Sequence, residues 1–382
     1  LLQTLIIHYF HLLLVMFEPR VEKLRGEMRH PGLDAAILTS EHNMLYLSGY
    51  SAVSLERLIA LLIFREQDKS CLIVPELERE RAEENCKLQG VEILSYRDNE
   101  NPVSILVGLL SKNRVSSLGV EGSTPYRFIY PLHSSQPPIT LSLIDDIMYS
   151  LRIVKDEREV ECLEKAAEIN NKLLIDAVNH VKPGLSERDL ASFVRARALE
   201  LGADEVAFVL IQSGSNSALP HQEPTTRKIS SGDIVLFDIG IRYMGYYSDI
   251  TRTVTYDKPL PRQQEIFEIV ERSQSEALSK ISEGARAQEI DGEARRIITE
   301  AGYGRFFIHR TGHGLGLEVH EPPYIREGNL QELRRSMVFT VEPGIYLAGE
   351  FGVRLEDNVI VSGNGYRNLT KLPKSLQIKD YA

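Results

Sequence analysis

Residues 233–254, DIVLFDIGIRYMGYYSDITRTV, carry the pattern that decides the fold of this chain. Two runs of alternating apolar residues, with Gly240 and Gly245 near their junction, predict a β-hairpin. Asp238 lies inside the first run and Asp249 inside the second. A carboxylate among Val, Leu, Phe and Ile costs free energy unless a positive partner meets it. We therefore expect both acids to face a cation.

The same pattern returns later in the chain with two more acids. Residues 337–346, MVFTVEPGIY, place Glu342 in an apolar strand, and residues 352–361, GVRLEDNVIV, place Glu356 in the next one. One such acid alone could form an ion pair with Arg or Lys. Four of them in this order instead favour a site for divalent metal ions.

Three histidines lie between the two pairs of acids, in residues 307–324, FIHRTGHGLGLEVHEPPY. Glycines alternate around the middle histidine, which argues against a helix and lets the backbone approach a ligand closely. The stretch matches neither the G-x-G-x-x-G nucleotide motif nor the H-E-x-x-H zinc motif. Four carboxylates and an imidazole form a hard donor set for two ions such as Mn, Co, Fe or Zn, which would polarise a bridging water.

The helical stretches of the same region repeat weakly at an offset of 100 residues. Residues 177–203 and 277–303 both read as a helix, a turn containing glycine and a second helix. Four residues match: Ala177 with Ala277, Gly184 with Gly284, Arg195 with Arg295, and Gly202 with Gly302. Chance similarity of two helix pairs is one interpretation. The other is a domain of two related halves, which commonly hold their site at the shared interface.

The part of the chain before this region predicts a separate domain. Helical and strand-like segments alternate from residue 16, which indicates an α/β layer with a mostly parallel or mixed sheet. No glycine motif follows a strand, so we expect no nucleotide site there. Consecutive prolines in SSQPPITL precede a long helical stretch and place the boundary near residue 147. The predicted domains are 16–146 and 147–382.

Residues 1–15, LLQTLIIHYFHLLLV, are almost wholly apolar. They are too short to span a bilayer, and they lack the basic start and the small-residue cleavage site of a signal peptide. We interpret them as an extension before a natural start at Met16, outside the fold, or as a terminal helix packed on a partner. We expect no membrane association.

Charge and cysteine content narrow the class of protein. The formal net charge of −10 argues against a nucleic-acid partner, which would require clustered Lys and Arg. A hydrophobic fraction of 43% and a charged fraction of 26% are typical of a globular protein. Cys71, Cys86 and Cys162 are widely spaced and odd in number. They indicate a reducing compartment, so the expected location is the cytoplasm.

One ordered set of residues resembles the metal signature of the creatinase and methionine aminopeptidase family: Asp238, Asp249, His313, Glu342 and Glu356. The motifs around them are FDIG, SDITRT, TGHGLG, VEPGIY and RLEDN. NMLYLSGY at 43–50 and RIVKDEREVECLEKA at 152–166 are similar to aminopeptidase P and prolidase specifically. The resemblance implies an α+β protein, in which a creatinase-like N-terminal α/β domain precedes a pseudo-twofold pita-bread domain.

The resemblance also implies a role for each metal ligand. Asp238 would hold one ion, His313 and Glu342 would hold the other, and Asp249 and Glu356 would bridge the two. The water between the ions would be the nucleophile. Glu342 would take its proton and pass it to the leaving nitrogen.

Four further residues match substrate-binding positions of the family. His221, in SALPHQEP, and His320 would hydrogen-bond the scissile carbonyl and its oxyanion. His309 matches a histidine that lines a proline pocket, and Arg354 matches an arginine that supports the bridging carboxylate.

The implied activity is that of a Xaa-Pro aminopeptidase, which acts on peptides or dipeptides with proline as the second residue. The expected metal is manganese, and the expected assembly is a homodimer. A Xaa-Pro dipeptidase is the first alternative. A dipeptidase needs a cation for the product carboxylate, and some archaeal prolidases carry an Arg shortly after the glutamate that follows the second histidine. This chain has Tyr324 nearby and Arg326 two residues further on. A non-peptide amidohydrolase of the same fold and a non-enzymatic peptide-binding module are the remaining alternatives.

Overall fold

The structure, a computed structural model, describes residues 17–67, 69–134 and 138–381. The chain forms two compact units that divide between Arg152 and Ile153. The extension predicted for residues 1–15 lies outside the described residues. Within the described ranges, the helices are all too short or too polar to cross a bilayer.

The first unit contains a mixed six-stranded sheet. Its strands are β1 Ala35–Leu38, β2 Ala60–Phe64, β3 Ser70–Pro75, β4 Val91–Tyr96, β5 Ser117–Val120 and β6 Thr140–Leu143. They lie in the order β4-β3-β2-β1-β5-β6. The pairs β3·β4, β1·β5 and β5·β6 are parallel, whereas β1·β2 and β2·β3 are antiparallel. Strands β1, β2 and β3 are buried along their whole length, as the continuous apolar runs of their sequences require.

Helices connect and flank these strands. They are α1 Phe17–Arg29, α2 Glu41–Ser48, α3 Arg79–Asn85, α4 Pro102–Lys112, α5 Tyr126–Ile129 and α6 Asp145–Arg152, with 3-10 turns at Glu76–Glu78 and Tyr130–Ser134. Helix α1 buries Val21, Leu24 and Met28, which share one helical face. Helix α4 starts at Pro102, where a missing N–H costs nothing, and the Asn101 side chain caps it. The alternation of strands and helices confirms the predicted α/β layer.

The second unit begins each of its halves with two helices. They are α7 Glu157–His180 and α8 Glu187–Glu200 in the first half, and α9 Pro261–Ser279 and α10 Ala287–Glu300 in the second. Helices α8 and α10 begin and end 100 residues apart, as the sequence repeat predicts. Gly184 and Gly284 precede them with φ of 87° and 86°, a left-handed conformation that favours glycine. The repeat therefore reflects two halves with one architecture.

Strands complete each half. The first half has an antiparallel sheet of β7 Glu205–Ser213, β8 Ile234–Tyr243 and β9 Tyr246–Thr255. The second has β10 Gly312–Gly314, β11 Glu321–Ile325, β12 Val338–Val341, β15 Asp357–Ser362 and β16 Gly365–Asn368 in the order β11-β10-β12-β15-β16, and a separate pair, β13 Gly344–Leu347 with β14 Phe351–Arg354. Short 3-10 turns lie at Gly214–Ala218, Gly304–Phe306 and Ile378–Tyr381.

The hairpin predicted from the opening sequence is β8 and β9. Met244 and Gly245 form its two-residue turn, both with positive φ, as a tight hairpin turn requires. Each half packs its helices on its strands around a separate apolar core. Phe237 and Ile250 lie in the first core, and Phe339 and Val359 lie in the second. The acids of the site lie outside both cores.

Candidate active site

Strands β8 and β9 position the two acids of the first half. Asp238 is the register partner of Thr251, and Asp249 is the partner of Gly240, so both aspartates project from the same face of the hairpin. Their relative exposures are 8% and 4%. The period of two that predicted the hairpin therefore brings the two carboxylates together.

The two acids of the second half lie at strand ends and not inside strands, so the prediction for them was wrong in this respect. Glu342 directly follows β12, and Glu356 lies between β14 and β15. Pro343 follows Glu342 and cannot donate to a strand ladder, which ends the strand there. The Glu356 N–H donates to Thr251 O across the halves, and its Oε2 accepts a 2.7 Å hydrogen bond from the Thr251 hydroxyl.

His313 on β10 faces the acids of both halves. Its Nε2 lies 3.7 Å from Asp249 Oδ2 and 3.4 Å from Glu342 Oε1. Its Nδ1 is 3.1 Å from Gly314 O, so Nδ1–H donates to this carbonyl and leaves the Nε2 lone pair toward the carboxylates. Burial, and then the nearby His320, lower the pKa of His313, which keeps its ring neutral. A neutral imidazole is the form that ligates metals.

Glycines in the histidine stretch permit close packing of strands. A Cβ on Gly312 would lie 1.9 Å from Thr340 O, and one on Gly314 would lie 2.1 Å from Pro322 O. The sequence prediction, in which these glycines admit a ligand, was therefore incomplete. They let β10 fit between β11 and β12, which holds His313 at the cluster.

The ligand atoms form three overlapping groups, each with its members within 4.8 Å of one another. The groups are Asp238, Asp249 and Glu356; His313, Glu342 and Glu356; and Asp249, His313 and His320. All five predicted ligands are thus brought together, and His320 joins them.

The chemistry of this set fits divalent cations. Asp238 Oδ1, Asp249 Oδ1 and Glu356 Oε1 are buried and accept no hydrogen bond from the described residues. Burial, followed by repulsion from neighbouring carboxylates, raises the pKa of Asp249 and of Glu356. Burial also raises the pKa of Glu342 to about 7. Buried oxygens with free lone pairs and excess negative charge are stabilised by metal coordination.

A cavity of about 460 Å³ opens onto the cluster. It is lined by every residue predicted for the site, His221, His309, His320 and Arg354 included, and by four that sequence reasoning missed: Phe208, Leu210, Pro220 and Arg310. A wider groove of about 910 Å³ along residues 255–261 and 377–379 contains no histidine, and its carboxylate is Asp257. The donor groups therefore favour the smaller cavity as the candidate active site.

The predicted substrate histidines lie around this cavity. His320 packs edge-on against His313, with ring centroids 4.2 Å apart. Burial, and then Arg310, lower the pKa of His320, and burial, and then Arg354, lower that of His309 to about 3. His221 lies on an exposed loop at the cavity. The neutral rings of His309 and His320 can each donate one N–H.

Arg354 connects the cluster to His309 through a tyrosine that the sequence analysis did not single out. Its Nη2 donates to Asp238 Oδ2 at 2.5 Å, and its Nη1 donates to the Tyr346 hydroxyl at 2.7 Å. His309 Nε2 lies 2.8 Å from the same hydroxyl. Arg354 thus supports Asp238 directly and reaches Glu356 through Thr251. Tyr346 lies within the VEPGIY motif, which was the available signal.

The second half also holds the candidate ligands of the first. Asn358 of the second half binds the main chain of Asp249: its Oδ1 accepts the Asp249 N–H at 3.1 Å, and its Nδ2 donates to Asp249 O. Arg354, also of the second half, holds the side chain of Asp238. The cluster therefore depends on contacts across the interface between the halves.

Arg310 places a positive charge at the cavity. Its guanidinium carbon lies 4.6 Å from the ring centroid of Tyr324. Tyr324 lies in the region where, as described above, some archaeal prolidases carry an arginine. Arg310 also contributes to the lowered pKa of His320. The position next to His309 in the quoted motif was the signal that could have identified Arg310.

Comparisons with known proteins cover nearly the whole chain. Residues 20–154 match the Creatinase/Prolidase N-terminal domain, and residues 161–363 match Metallopeptidase family M24. The chain is 37% identical to the Xaa-Pro dipeptidase of Pyrococcus horikoshii over 358 residues, which is 94% of this chain and 98% of the relative.

Solved structures agree with this assignment. A prolidase from Thermococcus sibiricus superposes with a TM-score of 0.90 at 37% identity, covering 94% of this chain and 98% of that one. An X-Pro aminopeptidase from Thermotoga maritima gives a TM-score of 0.80 at 31% identity, with coverages of 90% and 97%. These likenesses confirm the α+β fold, with a creatinase-like N-terminal domain followed by a pita-bread domain. The chain therefore belongs to Metallopeptidase family M24 and is a hydrolase of that family.

Proposed function

We propose that the protein is a Xaa-Pro dipeptidase. The observation that carries this proposal is Arg310, a guanidinium at the wall of the cavity that contains the carboxylate cluster. A dipeptide presents its free carboxylate one residue after the scissile bond, and a guanidinium can bind it through two hydrogen bonds. The relatives named Xaa-Pro dipeptidase also favour this activity over the aminopeptidase expected from the sequence.

The proposed cofactor is a pair of divalent metal ions. Asp238 would hold one, His313 and Glu342 the other, and Asp249 and Glu356 both. We retain manganese as the proposed metal, with Co, Zn or Fe as alternatives, because the donor set is rich in carboxylate oxygen with one imidazole. When bound, two such ions polarise water and make a nucleophile available near neutral pH.

The residues around the cluster would handle the proton and the carbonyl. Glu342 would take the proton of the attacking water and deliver it to the proline nitrogen as the peptide bond breaks. His221 and His320 would donate hydrogen bonds to the carbonyl oxygen as negative charge develops on it. Arg354 would keep Asp238 in position. A site that needs no N–H at the scissile nitrogen accepts an imide bond.

The lining of the cavity would bind the proline residue of the substrate. His309, beside the hydroxyl of Tyr346, would line the proline site. Arg310 follows His309 in the chain and would meet the proline carboxylate. Phe208 and Leu210 supply apolar wall to the cavity. This arrangement would orient a dipeptide by its free carboxylate.

A direct test compares Ala-Pro, Ala-Pro-Ala and Ala-Ala-Ala with the Mn-supplemented protein. We expect cleavage of Ala-Pro in preference to Ala-Pro-Ala and no cleavage of Ala-Ala-Ala. Preferred cleavage of Ala-Pro-Ala would overturn the dipeptidase proposal in favour of a Xaa-Pro aminopeptidase, the second candidate, which the similarity to the Thermotoga maritima enzyme favours. Cleavage of none of the three would favour a non-peptide amidohydrolase or a binding module.

The variant Arg310→Met tests the carboxylate contact. Loss of even one of the two proposed hydrogen bonds to the carboxylate costs about 1.5–3 kcal/mol, so KM for Ala-Pro should rise by at least roughly 10- to 100-fold. The amide Ala-Pro-NH2, which lacks the carboxylate, should respond little. Arg305→Met is the matched control, because Arg305 stacks on Phe306 at 4.6 Å but does not line the cavity. An equal loss for Ala-Pro and its amide would contradict the proposed contact.

We also propose a cytoplasmic location and a homodimer. Cys71, Cys86 and Cys162 carry free thiols, as a reducing compartment requires. The homodimer rests on the family resemblance. Light scattering of the purified full chain measures the assembly, and a monomeric mass would contradict it.

A further inference from the structure

Two fully buried side-chain amides lie directly behind the metal-ligand strands, one in each half. Asn170 is on α7 and Gln274 is on α9, and each has a relative exposure of 0%. The repeat offset of 100 pairs Asn170 with Val270 and Leu174 with Gln274. The two halves therefore reach the same kind of contact from positions one helical turn apart.

Each amide joins two main-chain carbonyls, and all four carbonyls are next to metal ligands. Asn170 Nδ2 donates to Ile239 O at 2.8 Å and to Ser248 O at 3.2 Å. Ile239 follows the ligand Asp238, and Ser248 precedes the ligand Asp249. Asn170 thus connects β8 and β9 beside both aspartates.

Gln274 makes the corresponding contacts in the second half. Its Nε2 donates to Val341 O at 2.9 Å and to Leu355 O at 3.1 Å. Val341 precedes Glu342, and Leu355 precedes Glu356. Gln274 thus connects the ends of β12 and β14 beside both glutamates.

The other end of each amide carries an unsatisfied acceptor. Among the residues that the structure describes, none donates a hydrogen bond to Asn170 Oδ1 or to Gln274 Oε1. A buried acceptor without a partner costs free energy, which an apolar side chain of similar shape would avoid. Both halves nevertheless keep the amide. The two donated hydrogen bonds are the part of each side chain that the strands use.

We propose that Asn170 and Gln274 are positioning residues, each of which fixes the spacing of two ligand-bearing strands and so sets the affinity of one metal ion. Asn170 acts chiefly on the ion that Asp238 would hold, and Gln274 chiefly on the ion that His313 and Glu342 would hold. The second ligand beside each amide, Asp249 or Glu356, would be shared by both ions, so the effect on the other ion is smaller. Residues outside the ligand shell affect metal affinity when they orient the ligands. The inference rests on the dinuclear site proposed above and is independent of the choice of substrate.

The test is calorimetric titration of Mn²⁺ into the chelator-stripped full chain, with wild-type protein expected to bind two ions. Asn170→Leu should weaken by roughly 10- to 100-fold the binding event that Asp238→Asn abolishes, and it should weaken the other event less. Gln274→Met should weaken the other event. Asn170→Ser, whose hydroxyl can donate to one carbonyl, should give a smaller loss, and it carries the same test if the leucine variant does not fold.

Matched controls separate positioning from general destabilisation. Asn171→Leu alters the next residue of α7, a buried amide that donates to Leu369 O at 3.0 Å, a carbonyl that is not next to any of the proposed ligands. Gln263→Leu is the corresponding control on α9, because it removes a buried amide that donates to Gly232 O at 2.9 Å. These variants should lower the thermal unfolding midpoint but leave both Mn²⁺ affinities unchanged.

The possible results are distinct. Unchanged affinities in Asn170→Leu and Gln274→Met, or equal weakening of both events by the control variants, would overturn the positioning role. Wild-type protein that binds no Mn²⁺ would instead overturn the dinuclear site. Because the experiment measures metal affinity and not activity, both conclusions are reached without reference to peptidase activity.

Discussion

Replacement of Glu342 by glutamine should stabilise the metal-free protein at neutral pH and destabilise it when metal is present. Glu342 is buried among Asp238, Asp249 and Glu356, and burial raises its pKa from 4.5 to about 7. Its side chain is 15% exposed, so solvent screens it weakly. Glutamine has nearly the same shape and carries no charge at any pH. The variant therefore removes the cost of one buried carboxylate, together with its repulsion of Glu356.

The magnitude follows from the two pKa values. Below the unfolded value of 4.5, the carboxyl is protonated in both states and its charge costs nothing. As the pH rises toward the folded value of about 7, the unfolded chain releases the proton first, so wild-type stability falls. At about 1.36 kcal/mol per pKa unit, the full loss above the folded pKa is about 3 kcal/mol. The glutamine variant does not lose this stability.

The assay is urea unfolding followed by circular dichroism, since the chain contains no tryptophan. Metal-free wild type and Glu342→Gln should have similar free energies of unfolding near pH 4 and diverge above it, with the variant more stable. His309 and His320, whose lowered pKa values act with the opposite sign, are present in both proteins and cancel. Mn²⁺ at about 1,000 times Kd should reverse the order, because binding then stabilises the folded wild type by about 4.1 kcal/mol. This gain exceeds the advantage of about 3 kcal/mol that the variant has without metal.

The control is Glu350→Gln, which alters a carboxylate that is 47% exposed at the surface. The difference in free energy of unfolding between wild type and Glu350→Gln should not grow with pH. A difference between wild type and Glu342→Gln that stays constant from pH 4 to pH 8, or that shrinks as the pH rises, would refute the reasoning. So would a failure of Mn²⁺ to favour the wild type.

Three further substitutions have defined outcomes. Asp249→Ala should abolish binding of both Mn²⁺ ions together with peptidase activity, because a bridging carboxylate serves both; calorimetry that still detects two ions would contradict this. Arg354→Met should cost about 3–5 kcal/mol in urea unfolding of the metal-free form, because Asp238 loses its buried partner; an unchanged midpoint would argue against that pair. Tyr346→Phe should lower the free energy of unfolding by about 1–3 kcal/mol, because Arg354 and His309 lose the hydroxyl that they contact. The pKa of His309, measured by NMR titration, should change only slightly.

Local chemistry made much of the fold and of the carboxylate cluster predictable. Alternation around Gly245 predicts the hairpin, because the period of two and the turn glycine are both local signals. The repeat at an offset of 100 predicts two related halves, and α8 and α10 follow it at both ends. Asp238 and Asp249 were detectable because a carboxylate is costly among apolar residues. Such residues carry their own signal in the sequence.

The remaining parts depend on contacts between distant segments. Glu342 and Glu356 lie in apolar sequence that resembles a strand. Strand β12 nevertheless ends just before Glu342, which Pro343 follows, and Glu356 lies in the connection between β14 and β15. Tyr346 is an ordinary strand tyrosine until Arg354 and His309 meet its hydroxyl. Asn170 and Gln274 are polar residues on amphipathic helices, and nothing local indicates that their amides face carbonyls of other strands. Tertiary structure alone gives these residues their roles.

The hydrogen bonds between the two halves have a consequence for the ancestry of the fold. A single half would carry Asp238 and Asp249 without Asn358 and Arg354, and the other half would carry Glu342 and Glu356 without Thr251. Neither ancestor could have assembled the cluster by itself. If the halves arose by gene duplication, a site of this composition required two halves in contact, either as associated copies or within one fused chain.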